Sequence, residues 1–111
     1  MGGTRIRYEG SNIAAPGANT DILGTELAYL PGGAKCRVTV VLAVASVFKA
    51  ILTPSSGSAV TVKFRDAGPL SADCAYTFDL ERGSDVTLNF QVETNGIIRY
   101  LLVKDVVDEV A

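Results

Sequence analysis

Few side chains in this sequence combine the type and the spacing that catalysis requires. The chain contains no histidine and no Cys-x-x-Cys spacing, so a Ser-His-Asp triad, a Cys-His pair and a thiolate–imidazole metal site are excluded. Carboxylates can hydrolyse glycosides in pairs or bind Ca²⁺ in loops. The clustered carboxylates are Asp79, Glu81, Asp85, Asp105, Asp108 and Glu109. Neither cluster has the spacing of a calcium loop, so we interpret the first as solvated surface and the second as a solvated acidic tail.

The sequence therefore predicts no enzymatic activity, no bound metal and no cofactor. Its two cysteines, Cys36 and Cys74, both lie at the inward parity of predicted strands. We interpret them as two small buried hydrophobic side chains. A disulfide between them is the alternative, and it would suit an extracellular protein.

Charge and hydropathy exclude further classes of partner. Lys and Arg number 10 and Asp and Glu number 12, and without a basic block the chain lacks the clustered positive charge that attracts nucleic acids or acidic membranes. The longest apolar run, residues 38–48, is interrupted by Thr39 and Ser46 and is well short of the ~20 residues of a membrane helix. Residues 1–8 lack the apolar stretch of a signal peptide. We expect a protein made and folded in a cytoplasm, with no nucleic-acid or membrane partner.

Alternation of apolar and polar residues dominates the chain from residue 35 onward. Val38, Val40, Leu42 and Val44 recur at period 2, which is typical of a strand that buries one face. The four prolines all fall between the apolar runs, as expected if the runs are paired strands. Short strands at this frequency predict an all-β fold, an antiparallel, jelly-roll-like β-sandwich of roughly seven or eight strands.

The first third of the chain differs from the rest. Residues 9–34 are rich in Gly, Ala, Asn and Pro, and their apolar residues are scattered. We predict an extended N-terminal arm over residues 1–34 and a β-sandwich over residues 35–111, within a single domain.

Asn95-Gly96 is the strongest local turn signal. An Asn-Gly pair between two alternating runs favours a two-residue hairpin, because both turn positions need positive φ. The predicted register places Phe90 opposite Leu101 and Leu88 opposite Val103, on a face that must be the core face.

The other face of this predicted hairpin is apolar on one strand only. Apolar residues on both faces of a strand need a second cover, and exposed apolar patches often mark protein interfaces. We predict that the apolar residues on the outward sides of their strands lie in a subunit or partner interface. They are Ile98, Tyr100, Leu102, Val41, Val47 and Ile51. The alternative is that the N-terminal arm folds back over this face through Ile13, Leu23, Leu27 or Leu30.

Several segments of the chain together carry a resemblance. They are Cys-Arg-Val-Thr-Val (36–40), Ala-Tyr-Thr-Phe-Asp-Leu (75–80), Val-Thr-Leu-Asn-Phe-Gln-Val-Glu-Thr-Asn-Gly (86–96), Ile-Ile-Arg-Tyr-Leu-Leu-Val (97–103) and Asp-Glu-Val (108–110). In this pattern the chain resembles the small β-sandwich proteins that decorate, or cement, the capsids of tailed bacteriophages.

The resemblance implies a virion structural protein on the capsid surface, synthesised in the host cytoplasm. Such proteins are often trimers that bind across junctions of the major capsid protein or another virion protein and stabilise the shell. A tail, neck or spike component is the first alternative. A monomeric carbohydrate- or ligand-binding β-sandwich module is the second, although the tyrosines form no obvious stacking platform.

Overall fold

The computed structural model describes residues 3–14, 16–27, 35–65, 68–81 and 86–107, with residues 3–5, 81, 106 and 107 described by their backbone alone. The described residues form seven strands and no helix. The strands are β1 (Gly3–Ala14), β2 (Lys35–Leu42), β3 (Phe48–Pro54), β4 (Val60–Lys63), β5 (Ala75–Glu81), β6 (Val86–Val92) and β7 (Ile97–Val107).

The strands form two antiparallel sheets that pack as a sandwich. One sheet has four strands in the order β1-β7-β2-β5, and the other has three in the order β4-β3-β6. The predicted all-β antiparallel sandwich is therefore confirmed. The predicted boundary between arm and sandwich, after residue 34, borders residues 28–34, which lie outside the described part of the chain.

Alternation along each strand builds the core. In β2 the residues Cys36, Val38, Val40 and Leu42 are buried, while those between them are exposed or half-buried. From the second sheet, Phe48, Ala50, Leu88 and Phe90 are fully buried against them. Because successive side chains of a strand point to opposite faces, the apolar set at one parity forms the interior.

The predicted hairpin at Asn95-Gly96 is wrong. Strand β6 pairs with β3, and β7 pairs with β1 and β2, so the two strands belong to different sheets. Neither Asn95 nor Gly96 has the positive φ that the two-residue turn needs. The segment instead crosses from one sheet to the other, and a Cβ on Gly96 would lie 2.8 Å from Cγ2 of Val44. Gly96 is therefore required by close packing between two connections.

The inward residues of the supposed hairpin were nevertheless predicted correctly. Leu88, Phe90, Leu101 and Val103 are all fully buried. They face inward whichever strand they pair with, because parity along a strand does not depend on its neighbour.

A β-bulge in the pairing of β7 with β2 changes the parity near the start of β7. Val41 lies opposite Tyr100, but the next residue, Leu42, lies opposite Ile98, so Arg99 is the extra residue. Ile98 is consequently fully buried in the core. The prediction that Ile98 shares an outer face with Tyr100 and Leu102 is wrong for this reason.

The N-terminal segment packs on the sandwich of its own chain. Strand β1 pairs with β7 from Gly3 to Ala14. Residues 19–27, which we call the strap, then follow the edge of β6 in the other sheet. Asn19, Ile22 and Leu27 donate backbone hydrogen bonds to carbonyls of β6 at 2.7–2.9 Å. Ile22 and Leu23 are buried in the core, whereas Leu30 lies outside the described residues.

Candidate functional site: the outer face of the four-stranded sheet

The outer face of the four-stranded sheet brings together three of the predicted interface residues. Val41 of β2 lies directly opposite Tyr100 of β7, and Leu102 of β7 lies opposite Thr39 of β2. Residues in register on neighbouring strands share a face and their side chains are in contact range. Val41, Tyr100 and Leu102 are all half-buried, so each still offers part of its side chain to another molecule.

Two further apolar residues extend this face. The bulge that turns Ile98 inward leaves Ile97 on the opposite side of β7, where it is 48% exposed. On the edge strand β1, Ile6 lies opposite Lys104 and is 59% exposed. We use the term outer face for the surface defined by Ile6, Val41, Ile97, Tyr100 and Leu102. Sequence parity alone could not identify Ile97, because the bulge that exposes it depends on the pairing with β2.

Hydrogen bonds across the strands hold the polar groups of this face. The Tyr100 hydroxyl donates to Oε2 of Glu9 at 2.7 Å, and this bond, with the negative charge of Glu9, raises the pKa of Tyr100. The Thr39 and Thr77 hydroxyls lie 3.0 Å apart and hydrogen-bond. The phenol of Tyr100 thus stays protonated at neutral pH and ties β7 to Glu9 of the edge strand β1.

The charged end of the outer face is formed by Arg37 and Asp79. The Arg37 guanidinium donates two hydrogen bonds to the carboxylate, at 2.8 Å and 3.2 Å. These bonds hold the pKa of Asp79 below its usual value. The two charges therefore compensate each other within the chain.

The remaining predicted interface residues lie elsewhere. Val47 belongs to the connection between β2 and β3, where its carbonyl accepts a hydrogen bond from the Glu93 backbone at 3.1 Å. Ile51 lies in β3 opposite Asn89 and Thr61, in the three-stranded sheet. The six predicted residues are thus divided among the outer face, the core, the connection between β2 and β3, and the three-stranded sheet.

The two cysteines differ in their surroundings. Cys36 is fully buried, as predicted, whereas Cys74 is exposed and no disulfide joins the two. The predicted inward position of Cys74 is wrong because β5 begins only at Ala75, after a residue with positive φ at Asp73. Regular alternation does not extend into this turn.

The carboxylate clusters of the sequence are not built as expected. Asp105 is fully buried and accepts a hydrogen bond from Nη1 of Arg7 at 2.8 Å, so its assignment to a solvated tail is wrong. Asp79 is exposed. Asp85, Asp108, Glu109 and the side chain of Glu81 lie outside the described residues. Within the described residues, no group of three or more carboxylate, thiol or imidazole side chains is arranged to hold a metal ion.

A row of aromatic rings crosses the sandwich. Phe90, Phe48, Phe64, Phe78 and Tyr76 follow one another with centroids 5.4, 5.7, 4.6 and 6.2 Å apart, and their planes differ by at most 21°. The row begins in the core and ends at β5, where Phe78 and Tyr76 are half-buried. Because its members are distant in sequence, only the packing of the two sheets reveals it.

The last ring of this row is held by the turn beside it. The Tyr76 hydroxyl accepts a hydrogen bond from the Ser71 backbone at 3.0 Å, and the Arg65 guanidinium lies 5.5 Å from the ring centroid. The bond from Ser71, together with the positive charge of Arg65, lowers the pKa of Tyr76.

Comparison of the chain with protein-family models, with curated proteins and with solved structures finds no match. In the part of the chain that the structure describes, no helix is long and apolar enough to span a membrane.

Proposed function

We propose that this protein is a virion structural protein, and specifically a capsid decoration or cement protein that binds neighbouring protein subunits through its outer face. The observation that carries the proposal is the contiguous set of Val41, Tyr100, Leu102 and Ile97 on one side of the four-stranded sheet. A sandwich already has its core between its sheets, so apolar side chains on the outside of a sheet favour contact with another protein.

Two polar pairs on the outer face suit burial in such a contact. The Tyr100 hydroxyl is hydrogen-bonded to Glu9, and Arg37 is paired with Asp79. Polar groups that already have partners cost less to remove from water than unpaired ones. Tyr100 also has the amphipathic character that makes tyrosine frequent in protein interfaces.

The proposed partners are the major capsid protein or another virion protein, together with further copies of this chain. From the resemblance we propose a trimer on the capsid surface, seated over a junction of capsid subunits. This role depends on area and shape and needs no titratable catalytic group, which is compatible with a face built from Val41, Tyr100, Leu102 and Ile97.

The experiment combines mass in solution with capsid binding. We expect light scattering on a sizing column to give a multiple of the chain mass, with three copies in the smallest stable species. The second measurement is co-sedimentation with purified, undecorated capsids of a tailed phage. Tyr100→Asp places a charge at the centre of the outer face and should weaken both.

The matched control is Thr61→Asp. Thr61 is an outward-facing strand residue like Tyr100, but it lies on β4 in the other sheet, so this change should leave both measurements as in the wild-type protein. A monomer that fails to sediment with capsids would contradict the proposal. A closed ring of six or more copies that does not dissociate into trimers would favour a tail or neck component instead.

A further inference from the structure

The four edges of the two sheets are not equally suited to pairing with another strand. The edge of β6 carries the strap, and β4 has only four residues. The edge strand β1 has a register shift at Arg7 and a positive φ at Asn12. Bulges, short strands and covering segments are the usual means by which proteins protect an edge.

The fourth edge, that of β5, lacks these features. Ala75–Glu81 pairs with β2 without any shift in register, and it contains neither proline nor lysine. Among the described residues, no strand and no other backbone group hydrogen-bonds to its outer side. A regular edge strand of this kind presents a row of backbone donors and acceptors to a second strand.

The sequence of β5 is complementary to itself in one antiparallel register. With Phe78 opposite Phe78 of a second copy, Tyr76 lies opposite Leu80 and Thr77 opposite Asp79. Apolar residues then face apolar residues on the inner side. On the outer side Thr77 faces Asp79, and the small Ala75 lies opposite Glu81 at each end of the pair. All seven residues of the strand are paired.

The neighbouring registers are less favourable. Centring the pair on Asp79 would place two Arg37–Asp79 ion pairs directly opposite each other and would leave Ala75 and Tyr76 beyond the two-fold-related strand. Centring it on Thr77 would leave Leu80 and Glu81 beyond the two-fold-related strand. The register centred on Phe78 also covers a ring that is half-buried in the single chain and adds an aromatic cross-strand pair.

From these observations we infer that two copies of this chain associate edge to edge through β5, with Phe78 on the two-fold axis. The four-stranded sheets of the two copies then form one continuous sheet of eight strands. This contact uses the backbone edge of β5, whereas the proposed function uses the apolar part of the outer face, which Thr77 and Asp79 only border, and it does not rest on the proposed function. If the outer face also forms trimers, the β5 contact joins one trimer to another. The number of copies in the largest species is then even.

The test uses charge at position 77, because the register places that residue opposite Asp79 twice in each pair. Thr77→Glu creates two repulsive contacts and Thr77→Lys creates two attractive ones. Typical cross-strand pair energies predict that Thr77→Glu raises the dissociation constant of the pair by a factor of between about 2 and about 30. Thr77→Lys should lower the dissociation constant by a similar factor. Sedimentation equilibrium over a range of protein concentrations measures it.

Two controls separate this effect from others. Thr77→Val removes the hydroxyl that bonds to Thr39 and adds no charge, so it should leave the dissociation constant nearly unchanged. Repeating the series in a Tyr100→Asp background reports on the β5 pair when association through the outer face is weakened. The series in the Tyr100→Asp background therefore distinguishes failure of the β5 pair from failure of the proposed function.

Opposite shifts for Glu and Lys would support both the pair and its register. Shifts in the same direction would overturn the register. A species of odd copy number that fails to double at any accessible concentration would overturn the pair itself.

Discussion

At the scale of single residues, the ion pair between Arg7 and Asp105 is the main polar feature of the interior. Its atoms lie 2.8 Å apart, and the two side chains are 18% and 1% exposed. It joins the bulge of the edge strand β1 to the central strand β7. A buried carboxylate is costly unless it is paired, so Arg7 is needed to satisfy Asp105 once the sheet is formed.

We expect Arg7→Met to destabilise the protein by roughly 3–5 kcal/mol, because it removes the positive charge that is hydrogen-bonded to a buried carboxylate. The double variant Arg7→Met with Asp105→Leu should lower the free energy of unfolding by less than the sum of the two single variants, because neither charge of the ion pair then remains. Urea denaturation followed by tyrosine fluorescence measures all three.

The control for this prediction is Arg37→Met, which breaks the exposed pair with Asp79, whose side chains are 41% and 49% exposed. Because solvent screens an exposed ion pair, Arg37→Met should lower the free energy of unfolding much less than Arg7→Met does. Equal losses at the two sites would contradict the role of burial.

At the scale of elements, the crossing between β6 and β7 depends on the fit of two connections. Gly96 packs against Val44, and a Cβ there would lie 2.8 Å from Cγ2 and 2.9 Å from Cβ of that residue. The Cβ of a valine is close to the backbone and cannot move aside by a rotamer change. Glycine is therefore needed at this position because there is no room for a Cβ, and not because the backbone has a positive φ.

We expect Gly96→Ala to destabilise the fold by roughly 1–3 kcal/mol through overpacking. Val44→Ala in the same chain should recover part of that loss, because it removes the closest methyl group. Asn95→Ala should have little effect, since Asn95 does not have the positive φ of a hairpin turn. Thermal unfolding measured by circular dichroism separates the three variants. A large loss for Asn95→Ala would favour the hairpin after all.

At the scale of the whole molecule, the strap joins the two sheets of the sandwich. The chain leaves β1 in the four-stranded sheet and then bonds along β6 in the other. Asn89 fixes it, because its amide accepts from the Leu23 backbone at 2.9 Å and donates to the Leu23 carbonyl at 3.0 Å. Asn89 is 1% exposed, so neither group of Leu23 could easily find water in its place.

We expect Asn89→Ala to lower the free energy of unfolding by roughly 2–4 kcal/mol, since it leaves two buried backbone groups unsatisfied. Hydrogen exchange should speed up first at the strap amides of Ile22, Leu23 and Leu27. Gln91→Ala removes a bond from the same strand to Asp21 at 2.8 Å in an exposed position and should change little. Uniform acceleration over both sheets would mean that the strap is no separate unit.

The parity of residues along each strand could be predicted from the amino-acid sequence alone. Alternation is local, so it identified the all-β class and the buried set that includes Val38, Val40, Leu101 and Val103. It also identified Val41, Tyr100 and Leu102 as outward-facing apolar residues of their strands. None of these inferences required knowledge of which strands pair.

The pairing of the strands, and every feature that depends on it, became visible only in the folded chain. Asn95-Gly96 has the composition of a tight turn, but the fit of Val44 on Gly96 belongs to a crossing between sheets. The bulge at Arg99 exchanges Ile98 for Ile97 on the outer face. Asp105 is buried because β1 brings Arg7 to it across 98 positions of sequence. Pairing is a long-range choice among competing strands, and local alternation carries no information about which neighbour prevails.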